Sequence, residues 1–311
     1  MNHGLRLGAA WRQIKRDRFL YALAALPLLY FVIFRYLPMV GLIVAFKDYD
    51  PYQGLPGILG LDNFVGFQHF EAFFRSRFFW SVLGNTVWLG LLKLFWGFPA
   101  PLILALLLNE VRRTAFKRTV QTISYLPHFF SAVVVAGLVR AMLSSQGGLV
   151  NQLSVAVGGQ PAAPLTDPAL FRSILVVASI WQHAGWGSII YLAALTTISP
   201  EMYEAATVDG AGRLQRMWHI TLPGIAFAIV INLILAFGGL LNSDFEQILL
   251  LYSPAVYRVA DVIDTFVYRS GLIGRQYSYA AAVGLFKSFV ALGLLLIANR
   301  AARRAGQPGL W

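Results

Sequence analysis

The sequence predicts an all-α membrane protein: a bundle of six transmembrane helices with both termini cytoplasmic. Three observations predict it. Six apolar stretches, at about 19–42, 82–108, 120–142, 171–195, 224–250 and 279–299, each reach the roughly 20 residues needed to cross a bilayer core. Of 311 residues, 58% are hydrophobic and 13% charged, with a mean hydropathy of +0.63, outside the range of ordinary soluble domains. The Lys and Arg residues between the stretches are unevenly shared.

The elements follow in chain order. Residues 1–18 form a basic segment, in which Leu7, Trp11 and Ile14 among arginines and lysines suit a helix lying on the membrane surface; a basic tail fits as well. The first stretch, FLYALAALPLLYFVIF, is too long for a signal-peptide core and stays apolar well past the small residues at Ala24, so it reads as an uncleaved anchor. Residues 19–299 then read as one transmembrane domain and 300–311 as a cytoplasmic tail. Prolines 27, 38, 99, 101 and 127 lie in or near spans, where each removes a helical hydrogen bond, so bends inside a packed bundle are expected. The connections at 47–81, aromatic and mixed in charge, and 143–170, rich in Gly and Pro, are too small for separate domains. No internal repeat is visible, which suits one half of a two-subunit pore.

With the N-terminus inside, fourteen cations fall in inner segments: Arg6, Arg12, Lys15, Arg16, Arg18, Arg112, Arg113, Lys117, Arg118, Arg213, Arg216, Arg300, Arg303 and Arg304. Six fall outside: Lys47, Arg75, Arg77, Arg258, Arg269 and Arg275. That bias sets the orientation and places the connection 196–223 on the cytoplasmic side. It also accounts for the net charge of +11 without nucleic acid as a partner.

Residues 204–223 read EAATVDGAGRLQRMWHITLP. Ser199 is a suitable N-cap and Pro200 a suitable first helical residue. Small side chains at Ala205 and Ala206 permit close approach of another surface, and Gly210 permits a sharp change of direction. An ordinary helix–turn–helix loop is the competing reading. Seven positions, Glu204, Ala205, Ala206, Gly210, Ile220, Leu222 and Pro223, resemble the coupling motif of permease subunits in ATP-driven (ABC) importers. The runs NEVRRTAFKRTVQTISYLPHFFSAVVVAGL (109–138) and FEQILLLYSPAVYRVADVIDTFVYRSGLIGRQYSYAAAVGLFKS (245–288) resemble the LplB/YtcP-like branch of MalF-type carbohydrate permeases. Within that branch the chain is similar to the larger permease subunits of alginate importers.

The resemblance implies a type I importer permease in a bacterial inner membrane, passing the bilayer several times. It implies a second, MalG-type permease, two ATPase subunits carrying ATP and Mg, and an extracytoplasmic solute-binding protein as partners, beside membrane lipid. Glu204, with Asp209 second, would pair with a basic residue of an ATPase. The large extracytoplasmic insertion of some MalF-type subunits is missing.

The chain itself has no phosphate-binding loop, no H-E-x-x-H and no G-x-S-x-G. It has no Cys, and its His residues, at 3, 69, 128, 183 and 219, are scattered. No catalysis, metal or cofactor is therefore expected in this chain. Candidates for the substrate path are Trp181, Gln182, His183 and Trp186 in the fourth stretch and Asn242, Asp244 and Glu246 at the outer end of the fifth. Aromatic faces and polar groups together suit sugars. Lys93 and Lys287 each lie about ten residues into a span, where a charge is costly and normally faces a cavity or a partner. As free cations they would suit a uronate oligomer; pairing with carboxylates is the alternative. A neutral-sugar permease, a permease for another solute and a secondary transporter remain rival readings, the last disfavoured by the coupling motif.

Overall fold

The computed structural model describes residues 16–60, 62–306 and 309–310. Residues 1–15 of the basic segment 1–18, read as a surface helix or a basic tail, lie outside them. Among the described residues the fold is helical, with one isolated bridge, Lys47 to Phe64. Four helices are long and apolar enough to cross a membrane: Arg18–Phe46, Phe79–Glu110, Pro168–Leu195 and Tyr277–Arg304. Two bent pairs make up six spans: Thr114–Phe129 with Ala132–Leu143, turning by 104°, and Arg213–Gly224 with Ala226–Gly238, turning by 66°.

Proline and glycine explain where the helices deviate. In the second span the ladder loosens into a π-turn over Lys93–Gly97, where Phe98 N–H donates to Lys93 O at 3.2 Å, just before the prolines at 99 and 101. In the third, Pro127 starts a 3-10 turn, Leu126–Phe129. Phe130 is then extended, and Ser131 caps the next helix by accepting from Val134 N–H. The fourth span starts on an Asp–Pro pair: Asp167 Oδ1 accepts from Ala169 N–H at 2.8 Å with Pro168 at the first helical position.

The fifth stretch departs from its expected form. A continuous span over 224–250 is replaced by the helix Ala226–Gly238, a non-helical passage, and a second helix Phe245–Leu251. The last helix continues past 299 to Arg304.

Three buried clusters hold the bundle. Phe73, Phe79, Val82, Ile263, Phe266 and Val283 tie the connection after the first span to the second and sixth. Leu89, Ala136, Phe171, Leu175, Ile248 and Val256 lie centrally. Ala105, Tyr191, Leu195, Ile198 and Ile225 lie at the end that carries residues 196–223. Two glycines set the closest approaches. A Cβ on Gly90 would sit 2.0 Å from Leu240 O, and one on Gly185 would sit 1.8 Å from Ser124 O. The non-helical part of span five therefore lies on span two, and the bend of span three lies on span four.

Gly185→Val is expected to reduce the yield of monodisperse permease several-fold, since backbone must move to admit it. Gly137→Ala, with open space around its Cβ position, is expected to leave the yield unchanged. Size-exclusion chromatography in detergent reads both.

Candidate functional site

The segment after the fourth span forms a protrusion bonded to the bundle. Its helix, Pro200–Val208, begins with Pro200 after Ser199 and carries Glu201 in its first turn. It ends in a Schellman arrangement: Ala211 N–H donates to Ala206 O at 2.8 Å, Gly210 N–H donates to Thr207 O at 3.1 Å, and Gly210 takes φ +78°. Gly212 N–H then donates to Gln215 Oε1 at 2.7 Å, starting the helix Arg213–Arg216. Tyr203 and Ile220 pack against the buried cluster of Ala105, Leu195 and Ile225. Tyr203 Oη and the buried Thr221 Oγ1 are 3.0 Å apart. Arg216 donates to Thr207 Oγ1 at 2.7 Å, and Arg213 lies 4.0 Å from Glu110 at the end of span two.

This frame sorts the motif residues. Ile220 is a packing residue, half-buried on the bundle, and Leu222 and Pro223 open the short helix Leu222–Gly224 that leads into span five. Glu204, Ala205 and Asp209 are exposed. Glu204 has no hydrogen-bond or ion-pair partner among the described residues. Ala206, Asp209, Gly210 and Arg216 line a shallow depression of about 310 Å³, and Val208 and Trp218 stand exposed nearby. Small, apolar and anionic groups are thus presented outward on a segment whose inner side is fixed.

A second constellation occupies the middle of the bundle. Lys93 Nζ donates to Asp244 Oδ2 at 2.7 Å, and Ser179 Oγ donates to the same oxygen at 3.0 Å. Lys287 Nζ donates to both Asp264 oxygens, at 2.6 and 2.8 Å, and Ser243 Oγ also donates to Asp264, at 3.2 Å. Of the readings the sequence left open, the one found is pairing: both lysines are bonded to carboxylates. The cost of holding a charge among apolar helices is what drives the pairing. Of neighbouring residues 243 and 244, in the interruption of span five, Asp244 thus reaches spans two and four, and Ser243 reaches Lys287 of span six through Asp264. Asp264 and Ser179 carry this arrangement and were missed, because no sequence spacing links them to their partners.

The bend of span three supplies an aromatic group. His128 stacks on Trp186 at 4.7 Å with rings 5° from parallel, and Phe129 meets the same indole edge-on at 5.5 Å. His183 is 5.6 Å from His128, and its Nδ1 lies 3.0 Å from Ser179 O. Gln182 donates to Phe130 O at 3.0 Å, serving a carbonyl freed at the bend. His128 Nδ1 is buried without a hydrogen-bond partner. Trp186 remains exposed on its other side. Trp181 sits at the margin, 6.3 Å from Phe130. Asn242 and Glu246 are exposed and stand apart from both ion pairs. Four of the expected path residues, Gln182, His183, Trp186 and Asp244, thus border one region with Lys93. His128 joins them unforeseen, its signal being the proline beside it.

A polar clamp fixes the connection between spans five and six. Asn85 donates to the carbonyls of Arg258 and Asp261, each at 3.0 Å, and accepts from Arg172 at 2.7 Å. Asp261 takes both terminal nitrogens of Arg269 and a hydrogen bond from Thr265.

Residues 97–307 match the family of binding-protein-dependent transport system inner membrane components. The chain belongs to that family. This permease is 47% identical to protein LplB of Bacillus subtilis (strain 168), over 98% of this chain and 95% of LplB. It is 45% identical to the polygalacturonan/rhamnogalacturonan transport system permease protein YteP of the same organism, over 95% and 91%. It superposes with a TM-score of 0.87 and 44% identity on a chain of the bacterial alginate ABC transporter solved with an alginate pentasaccharide-bound periplasmic protein, covering 96% of this permease and 99% of that chain. The six-span bundle is accordingly a type I ABC importer permease.

Removing one partner of a fully buried pair costs roughly 3–5 kcal/mol. Lys93 and Asp244 side chains are 17% and 36% exposed, so Lys93→Met is expected to cost about 2 kcal/mol after screening. The double variant Lys93→Met/Asp244→Leu should regain most of that loss. Denaturation of the purified permease in detergent measures it, and a double variant no better than the single would refute the pairing.

Proposed function

We propose that this permease is one of two non-identical pore subunits of an ATP-driven importer of acidic oligosaccharides, fragments of polyuronates. The observation that carries the transport role is the fixed protrusion: an outward face of Glu204, Ala205 and Ala206 on a segment bonded to spans two and five. In this reading the protrusion is cytoplasmic and seats in one of two ATPase subunits, which hold ATP and Mg. Closure of the ATPases displaces the helix Pro200–Val208. The Tyr203–Thr221 contact and the packed cluster pass that displacement to spans two, four and five. Span five is interrupted between Gly238 and Phe245, so its two halves can reorient separately and alternate access to the pore. The chain itself performs no catalysis; a MalG-type permease and an extracytoplasmic binding protein complete the machine in a bacterial inner membrane.

The acidic cargo is supported by the relatives. YteP is named for polygalacturonan and rhamnogalacturonan, and the structural neighbour belongs to an importer of alginate, an acidic polysaccharide. A neutral sugar is the second reading, favoured by the two lysines being already neutralised. What remains beside Lys93 is aromatic and amide chemistry: Trp186, His183 and Gln182.

ATPase stimulation of the reconstituted complex, with its binding protein, is expected with uronate oligosaccharides and not with neutral ones. Stimulation by neutral sugars alone would reverse the cargo reading. Glu204→Lys is expected to leave the permease pair assembled while lowering transport at least about tenfold, the scale of one lost charge-assisted contact. Unaltered transport in that variant would remove Glu204 from the docking contact.

A further inference from the structure

The helices Thr114–Tyr125 and Pro168–Leu195 touch at Ser124 and Gly185 and part below that point, toward the protrusion. Between them lies a depression of about 360 Å³ lined by Asn109, Lys117, Gln121, Tyr125, Ile189 and Thr196, among others. Lys117, Gln121 and Tyr125 share one face of their helix at four-residue spacing. Asn109, Lys117, Gln121 and Tyr125 are half-buried, and their side chains have no hydrogen-bond or ion-pair partner among the described residues. The neighbouring cations Arg112, Arg113 and Arg118 are exposed. Topogenic charge alone does not require Lys117 to turn into a cavity. The depression is continuous in sequence with the aromatic group: Tyr125 is three residues before His128, and Ile189 three after Trp186, on the same two helices. Asn109 adjoins Glu110, the partner of Arg213 in the protrusion.

We infer that this depression binds one uronate unit of the cargo on the protrusion side of the pore, between the aromatic group and the exit. The inference rests on the acidic-cargo reading above. Lys117 Nζ donates to the carboxylate, the amides of Asn109 and Gln121 exchange hydrogen bonds with ring hydroxyls, and the Tyr125 ring offers a face to the sugar C–H groups. Lys93 and Lys287 are spent on Asp244 and Asp264. Lys117 lines the depression with no ion-pair partner among the described residues, and so is available to an anionic sugar.

The test uses the assembled complex in detergent without its binding protein, with a galacturonate trisaccharide as probe and a neutral trisaccharide as control. Saturation-transfer NMR reads binding. The galacturonate is expected to bind saturably. Lys117→Met should raise its half-saturation at least about tenfold, as loss of one charge-assisted hydrogen bond does. Lys117→Arg should restore it, and Arg118→Met should behave as wild type. No saturable binding, equal binding in Lys117→Met, or equal weakening by Arg118→Met overturns the site. If the binding protein loaded with uronate still stimulates the wild-type ATPase in those cases, the cargo reading stands without the site. If Lys117→Met abolishes binding but no uronate stimulates the ATPase, the site stands and the cargo reading falls.

Discussion

A bilayer core offers no water to an unpaired backbone carbonyl, so each interruption of a spanning helix must be served by protein. This structure is organised around three interruptions. At the bend of span three, Gln182 reaches across to Phe130 O. At the entry to span five, Thr221 accepts a backbone N–H from Ile225 and meets Tyr203. In the gap of span five, the chain from Leu240 lies on a groove kept open by Gly90, and both side chains at 243 and 244 are hydrogen-bonded to neighbouring elements. The positions that suit transport, where a helix changes direction and presents polar groups, are the positions that this constraint forces to be shared between spans.

That sharing ties the protrusion to the interior of the bundle. Residues 196–223 are attached at Ile198, Tyr203 and Ile220 to side chains of spans two, four and five. Span two also carries Lys93, and span four carries Ser179, both bonded to Asp244. A displacement at the protrusion therefore has two short routes to the gap in span five, through spans two and four. Lys287 and Asp264 bring span six into the same group through Ser243.

Much of this was legible in the sequence because it depends on local composition. The six apolar stretches reflect bilayer thickness. Ser199, Pro200 and Gly210 mark the ends of the helix Pro200–Val208 by their own backbone preferences. The gap in span five was not read as a break: Gly238, Gly239 and the polar run 242–244 lie between AFAIVINLILAF and FEQILLL, and polar residues near the end of a span read equally as its outer mouth. The depth of Lys93 and Lys287 could be read, but their partners could not. Asp264 lies in a stretch that sequence assigns to a connection, and Asp244 lies 151 residues from Lys93. Hydropathy reports which segments enter the membrane, not which charges meet inside it.

The two ion pairs also differ in how the ribosome delivers them. Lys287 follows Asp264 by 23 residues, so its counter-charge already exists when it reaches the membrane. Lys93 precedes Asp244 by 151 residues. At a synthesis rate of about 5–20 residues per second, the second span waits roughly 8–30 s with an unneutralised ammonium. During that interval its retention in lipid depends on the neighbouring leucines and on the insertion machinery, since a lone lysine at helix centre opposes insertion by about 2.5–3.5 kcal/mol. The second span thus depends on that help until the fifth stretch supplies Asp244.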